Sequence, residues 1–384
     1  MNPLVKLFAS ITLCTFPGLE KSTANNRSFD HSATPAKIQA AILLDVSGSM
    51  NGLIEQAKAL LWNMVTTLGK TQCSDNSSPQ VELALYEYGR ATNDVAKGYV
   101  KQLSPFTSDL DEISKILFSL NTNGSDEYCG QVIYTSIDEL KWDASAGNYK
   151  VIFIAGNEDF LQGSLHYTKA CTKAKEKGVI VNTIYCGDYK TGLAEHWNLA
   201  GECGNGSFTN INQNANEFDI PTPYDTTLIV LNNKLNDTYI GYGTFGYTNK
   251  VRQEKVDQLN FSKSKNLTAE RMEAKAKSKV YSNSSWDLVD ANTADSTYIT
   301  RVDRKTLPDS LKNKTTAQLQ QIVKEKTTMR KAIQEEVITV NARRSKYITE
   351  QKSKAALNKN EPTLESEVDK ILREQVKRFN MKID

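Results

Sequence analysis

Between about Lys37 and Ile211, short apolar runs alternate with segments of helical periodicity. Ile38 to Leu44 form an apolar run that ends in Asp45. Leu53, Ala57, Leu60, Leu61, Met64 and Leu68 then fall on one helical face. Val81 to Tyr86 alternates as a strand does, and Tyr99 to Leu103 is its expected short neighbour. Leu110–Leu120 and Val132–Leu140 have helical spacing, and Val151–Ile154 is a buried-strand run. A helix is expected through Lys177, then strands at Val179–Tyr185 and Gly206–Ile211. Strands alternating with helices of this length predict an α/β fold, a doubly wound and mostly parallel sheet of Rossmann-like type covered on both faces. In such sheets ligands bind beyond the carboxyl ends of the strands.

The pattern changes after Pro221, predicting a mainly α-helical C-terminal extension. Asp225–Leu235 has the spacing of one more helix that packs back on the sheet, Tyr239–Tyr247 is a Gly/Tyr-rich loop or hairpin, and Arg252–Lys279 is a polar helical stretch. Trp286-Asp287-Leu288-Val289-Asp290 is an apolar anchor in a polar background. After Leu307-Pro308 a long helix is expected, with Leu319, Ile322, Met329, Ile333, Val337, Val340 and Tyr347 on its stripe. Pro362 breaks it, and Thr363 caps a last helix carrying Leu364, Val368, Leu372, Val376, Phe379 and Ile383. The expected divisions are therefore a sheet domain at 37–220, a helix and loop extension packed on it at 221–307, and a helical or coiled-coil region at 308–384. From Ser310 onward 17 Lys and Arg stand against 10 Asp and Glu, which is first of all a solvated helix face.

The whole chain of 384 residues carries a net charge of only +2, so charge gives no reason to expect nucleic acid as a partner. Its first residues have the pattern of a signal peptide over 1–24. Lys6 precedes an apolar stretch from Leu7 to Phe16, and small residues at Ser22-Thr23-Ala24 suit cleavage before Asn25. A linker over 25–36 would follow. No later run reaches the roughly 18 apolar residues of a membrane span, so the expected location is exported, periplasmic or cell-surface. Cys73, Cys129, Cys171, Cys186 and Cys203 would remain after cleavage. Cys186 and Cys203 are the first pair to consider for a disulfide, because they flank one predicted helix; the odd count leaves at least one free thiol.

Candidate chemistry concentrates at Asp45-Val46-Ser47-Gly48-Ser49, where the first strand ends and the first helix begins. A carboxylate and two hydroxyls in one tight turn are hard oxygen donors suited to Mg2+, or to Ca2+ or Mn2+. The helix N-terminus that follows adds partial positive charge, which favours an anionic ligand at the ion. Ser49 could instead serve only as the helix cap.

Ala41-Ile42-Leu43-Leu44-Asp45-Val46-Ser47-Gly48-Ser49-Met50 resembles the opening of a von Willebrand factor A domain with its metal-ion-dependent adhesion site. The likeness is strongest to bacterial exported members, through Glu87-Tyr88-Gly89, Asp126-Glu127-Tyr128-Cys129-Gly130-Gln131 and Ala155-Gly156-Asn157-Glu158. It covers about Lys37 to Asn210 and extends loosely to Trp286–Asp290. The resemblance implies a second-loop ligand within Asn123-Gly124-Ser125-Asp126, with Asp126 the first candidate and Ser125 the second. It also implies a third loop of the form Thr-Asp-Gly, and here the chain departs: Gly156 stands where the carboxylate belongs. Asn157, Glu158 or Asp159 would then reach the ion through water.

No G-x-S-x-G, H-E-x-x-H or G-x-x-x-x-G-K-[ST] motif is present, and none of His31, His166 and His196 adjoins a nucleophile motif. The chain is therefore expected not to be an enzyme. The expected function is cation-dependent protein binding, with a partner Asp or Glu completing the ion. A scaffold that self-associates through its C-terminal helices is the rival reading, and a Mg-dependent hydrolase using Asp45 ranks below both.

Overall fold

The computed structural model describes residues 36–212, 220–354 and 363–383. The expected signal peptide and the break at Pro362 lie outside the described residues. In chain order the elements of the sheet region are β1 (Lys37–Asp45), α1 (Asn51–Leu68), β2 (Thr71–Cys73), β3 (Gln80–Tyr88), β4 (Lys101–Thr107), α2 (Leu110–Ser119), α3 (Cys129–Glu139), β5 (Tyr149–Gly156), α4 (Tyr167–Lys177), β6 (Ile180–Cys186), α5 (Tyr189–Ala194), α6 (Trp197–Cys203) and β7 (Asn205–Ile211). The extension contributes α7 (Asp225–Asn236), α8 (Gly246–Lys263), α9 (Lys265–Ala276), α10 (Leu288–Ala294), α11 (Tyr298–Arg301), α12 (Asp309–Lys312), α13 (Thr316–Lys354), α14 (Leu364–Gln375) and β8 (Met381–Ile383).

The main sheet has the order β4-β3-β1-β5-β6-β7, parallel throughout except for β4, which lies antiparallel on the edge. β1 sits in the middle because its run is apolar toward both faces. Ile38, Ala40, Ile42 and Leu44 join the core under α1, α2 and α14, while Ala41 and Leu43 join the one under α3, α4 and α6. From β1 the chain crosses to β3 on one side and later to β5 on the other, which leaves a crevice between the loops at their carboxyl ends.

The strands' period of two also corrects the disulfide expectation. Cys186 faces the same core as Ile180 and Ile184, whereas Trp197 and Ala200 of α6 belong to the opposite face. Cys203, at the end of α6, therefore bonds with Cys171 of α4, with Cα atoms 5.8 Å apart, and Cys186 is a buried free thiol.

The extension is part of the same packed body. Trp62 of α1 is fully buried and its indole N–H donates to Asn260 of α8 at 2.7 Å. Arg271 of α9 joins Asp111 of α2 at 2.7 Å and Asp257 of α8 at 2.5 Å, and Lys275 reaches Asp257 at 2.9 Å. The long α13 lies on α7, α9 and α10. It is pinned there by Arg330 on Asp287 (2.7 Å) and Asp290 (2.6 Å), and by Arg344 on Asp225 (2.8 Å). Met329, expected on the buried stripe, is exposed; Leu319, Ile333, Val337 and Val340 are buried. The last helix begins at the predicted Thr363 cap but stops at Gln375, so Ile383 lies in β8, which pairs antiparallel with β2.

Candidate functional site

Asp45 closes β1 as a fully buried carboxylate. Its Oδ1 accepts the Ser47 backbone N–H at 2.7 Å, while Oδ2 is buried without a hydrogen-bond partner. The Ser47 and Ser49 hydroxyls lie 3.5 Å apart, and Ser49 Oγ is 3.5 Å from Asn157 Oδ1. The residue preceding α1 is Met50 and no side chain caps the helix, so Ser49 is not held in that role. Ser47 is buried, Gly48 and Ser49 are exposed, and the cluster opens to solvent on that side.

Two further loops are stitched to this turn by backbone hydrogen bonds. Asn123 N–H donates to the Val46 carbonyl at 2.8 Å, Gly48 N–H to the Gly124 carbonyl at 3.1 Å, and Val46 N–H to the Tyr88 carbonyl at 3.0 Å. Gly124 has φ +118°, and a Cβ there would stand 2.1 Å from the Gly89 carbonyl oxygen, so only glycine permits this approach. The consequence is a register that leaves Ser125 and Asp126 exposed and turns Glu127 inward, 2% exposed. Glu127 Cγ and Asp45 Oδ1 flank Gly89, at 3.0 and 3.1 Å from the point a Cβ on that glycine would occupy. Glu127 Oε2, like Asp45 Oδ2, is buried without a partner.

The third loop departs from the expected form for a visible reason. The Tyr88 hydroxyl donates to the Ala155 carbonyl at 3.0 Å, and a Cβ on Gly156 would lie 2.4 Å from that hydroxyl and 3.0 Å from Asp45 Oδ2. Asn157 stays at the site through Ser49. The Glu158 carboxylate acts on Asp45 electrostatically, and Asp159 turns away to His196 at 3.0 Å. Arg90, in the neighbouring loop, is committed to Glu87 at 2.9 and 2.8 Å.

Burial pushes the Asp45 carboxyl up to about 7, opposed by Ser47 and the nearby Asn157 backbone and reinforced by Glu158. Glu127 is likewise pushed up to about 7 by burial and then by Asp45, against a Ser47 hydroxyl bond. Burial first, and nearby Asp45 as well, raises the Tyr88 phenol and the Cys129 and Cys186 thiols. Asp45, Glu127 and Glu158 thus lie within electrostatic range of one another, a set of acidic groups that suits a cation. Among the described residues no group of three or more His, Cys, Asp or Glu converges to hold a metal, so an ion here would draw its remaining donors from hydroxyls, amide or backbone oxygens and water. Glu127 belongs to the sequence signature but was not among the candidate ligands, although it adjoins Asp126.

A central parallel sheet with one antiparallel edge, and three loops meeting at the end of β1, is the arrangement the sequence resemblance implies. Residues 37–211 form a doubly wound, mostly parallel sheet of Rossmann-like type. No family model matches the chain, and no curated protein does. Solved structures similar to this one include the VWA domain of SpRpn10, at 16% identity over 46% of this chain and 88% of that one, TM-score 0.34. An aerotolerance-related membrane protein from Bacteroides fragilis, with multiple mutations to serines, is 16% identical over 46% of this chain and 93% of that one, TM-score 0.32. Proximal thread matrix protein 1 from the mussel byssus, with a zinc-occupied MIDAS motif, is 13% identical over 46% and 42%, TM-score 0.33.

Proposed function

We propose that this chain is a divalent-cation-dependent protein-binding module of the cell envelope, acting in adhesion or assembly and without a catalytic step. The observation that carries the reading is the Asp45 carboxylate, buried with one oxygen unpartnered beside two serine hydroxyls at an open rim. A buried carboxylate is retained where something pairs with it. Asp45, Ser47 and Ser49 would hold Mg2+, or Ca2+ or Mn2+, with Asn157 at the rim. The bound ion supplies an open coordination position for an Asp or Glu of the partner protein. The start of α1 adds its partial positive charge to the same side, which favours that acidic partner.

The full chain should show a Mg2+- or Mn2+-dependent rise in melting temperature and chelator-sensitive capture of an acidic partner, both absent in Asp45→Ala. No melting shift with millimolar Mg2+, Mn2+ or Ca2+ would refute the reading. The rival, scaffolding through the C-terminal helices, is favoured by the exposed Met329 and Ile338 on α13. Truncation at Pro308 would not separate the two, because α13 and α14 are built into the core. The discriminating variant is Met329→Lys with Ile338→Lys: loss of capture or self-association with cation response intact supports the scaffold.

A further inference from the structure

We infer that Glu127 provides the site's second carboxylate, displaced from the third loop to the second, and that it contacts the cation directly. The inference rests on the cation-binding reading above. At Gly156 no side chain fits, since the Tyr88 hydroxyl and Asp45 Oδ2 already fill the position of a Cβ, at 2.4 and 3.0 Å. Tyr88 cannot easily withdraw: it is fully buried and its hydroxyl is held on the Ala155 carbonyl. A third-loop carboxylate is therefore sterically excluded at that position.

Glu127 Cγ and Asp45 Oδ1 both lie against Gly89, at 3.0 and 3.1 Å from the position of a Cβ there. Both residues are at least 98% buried, and each keeps one oxygen with no hydrogen-bond partner, Glu127 Oε2 and Asp45 Oδ2, the latter on the Gly156 side. Two adjacent buried carboxylates with unsatisfied oxygens are unfavourable by desolvation and by mutual repulsion. A divalent cation held by both offsets both penalties and restores the two-carboxylate charge count that the change at Gly156 loses. A single proton shared by the pair is the competing resolution. Asp126, exposed beside Glu127, does neither.

The test is Mn2+ titration of the full chain by electron paramagnetic resonance at pH 7.5, with the melting temperature of each metal-free variant measured in parallel. Asp45→Ala, Glu127→Gln and Asp126→Asn are compared with the unaltered protein. Glu127→Gln should weaken Mn2+ by at least about tenfold, the lower end for a residue tuning a metal site. Its metal-free melting temperature should hold or rise, because a buried charge has been neutralised, and this excludes misfolding as the cause. Asp126→Asn should stay within about twofold of the unaltered affinity, as a solvent-exposed group outside the ion's contact would. If Asp45→Ala abolishes binding while Glu127→Gln binds as the unaltered chain does, the carboxylates share a proton and this inference is overturned, though the proposed function stands. If the unaltered chain binds no Mn2+, both fall.

Discussion

Gly156→Ala tests the account of the third loop with a single methyl group. That methyl would be placed 2.4 Å from the Tyr88 hydroxyl and 3.0 Å from Asp45 Oδ2, both buried. The obstructing atom is the end of a rigid ring, so relief requires the ring or strands β3 and β5 to shift. Overpacking of this kind costs about 1–3 kcal/mol. Moving the hydroxyl also leaves it buried without its Ala155 acceptor, for about 1–3 kcal/mol more. The expected loss is about 2–6 kcal/mol, read as a lower urea midpoint in circular dichroism at unchanged slope. Gly147→Ala is the control: nothing lies nearer to its Cβ than Ser145 Oγ at 3.9 Å, so the effect should stay within about 0.5 kcal/mol. Tyr88→Phe combined with Gly156→Ala removes the 2.4 Å contact, and the two effects should fall short of additive by at least about 1 kcal/mol. The reasoning is refuted if Gly156→Ala is as mild as Gly147→Ala, or if the Tyr88 and Gly156 effects simply add.

Two other expectations concern the body that carries the site. Non-reducing peptide mapping of the oxidised protein should find Cys171 linked to Cys203, a pair separated by 32 residues; loss of that link should cost about 3–4 kcal/mol, and a linked peptide containing Cys186 would contradict it. Asp257→Ala should cost about 3–5 kcal/mol, since it leaves Arg271 and Lys275 buried without their shared carboxylate. Burial alone would raise the Asp257 carboxyl, but Arg271 and Lys275 outweigh it and hold it well below its ordinary range. A depressed carboxylate stabilises the fold above its unfolded value of roughly 4, and that stabilisation is lost as pH falls further. Asp257→Asn should therefore flatten the acid limb of a stability-against-pH curve, and an unchanged slope below pH 4 would count against the assignment.

The central strands were legible because burial on both faces leaves an apolar run with no alternation to misread, as in Ile38–Leu44 and Val151–Ile154. β4 was placed too early. As an edge strand with one neighbour it tolerates Pro105 and register shifts against β3, so its sequence carries little strand signal. In the C-terminal region the helices could be read but not their docking. Arg330 and Arg344 belong to the locally basic stretch taken as a solvated face, yet each is only 5% exposed. Their acidic partners Asp287, Asp290 and Asp225 lie far back along the chain, beyond any helical repeat.

The site divides along the same line, between what local spacing decides and what distant contacts decide. Asp45, Ser47 and Ser49 occupy alternate positions of one turn, so their convergence follows from the turn itself. Which of Ser125, Asp126 and Glu127 faces them does not follow from the loop's own composition, since each offers an oxygen. It is set by Gly124 in its positive-φ conformation against Gly89, and by hydrogen bonds to Val46 and Gly48, all contacts between separate segments. The departure at Gly156 is likewise intelligible only through Tyr88, which arrives from another strand. Sequence position alone therefore names the loop that meets the Asp45 turn, while contacts between separate segments decide that Glu127 is buried there and Ser125 and Asp126 are exposed.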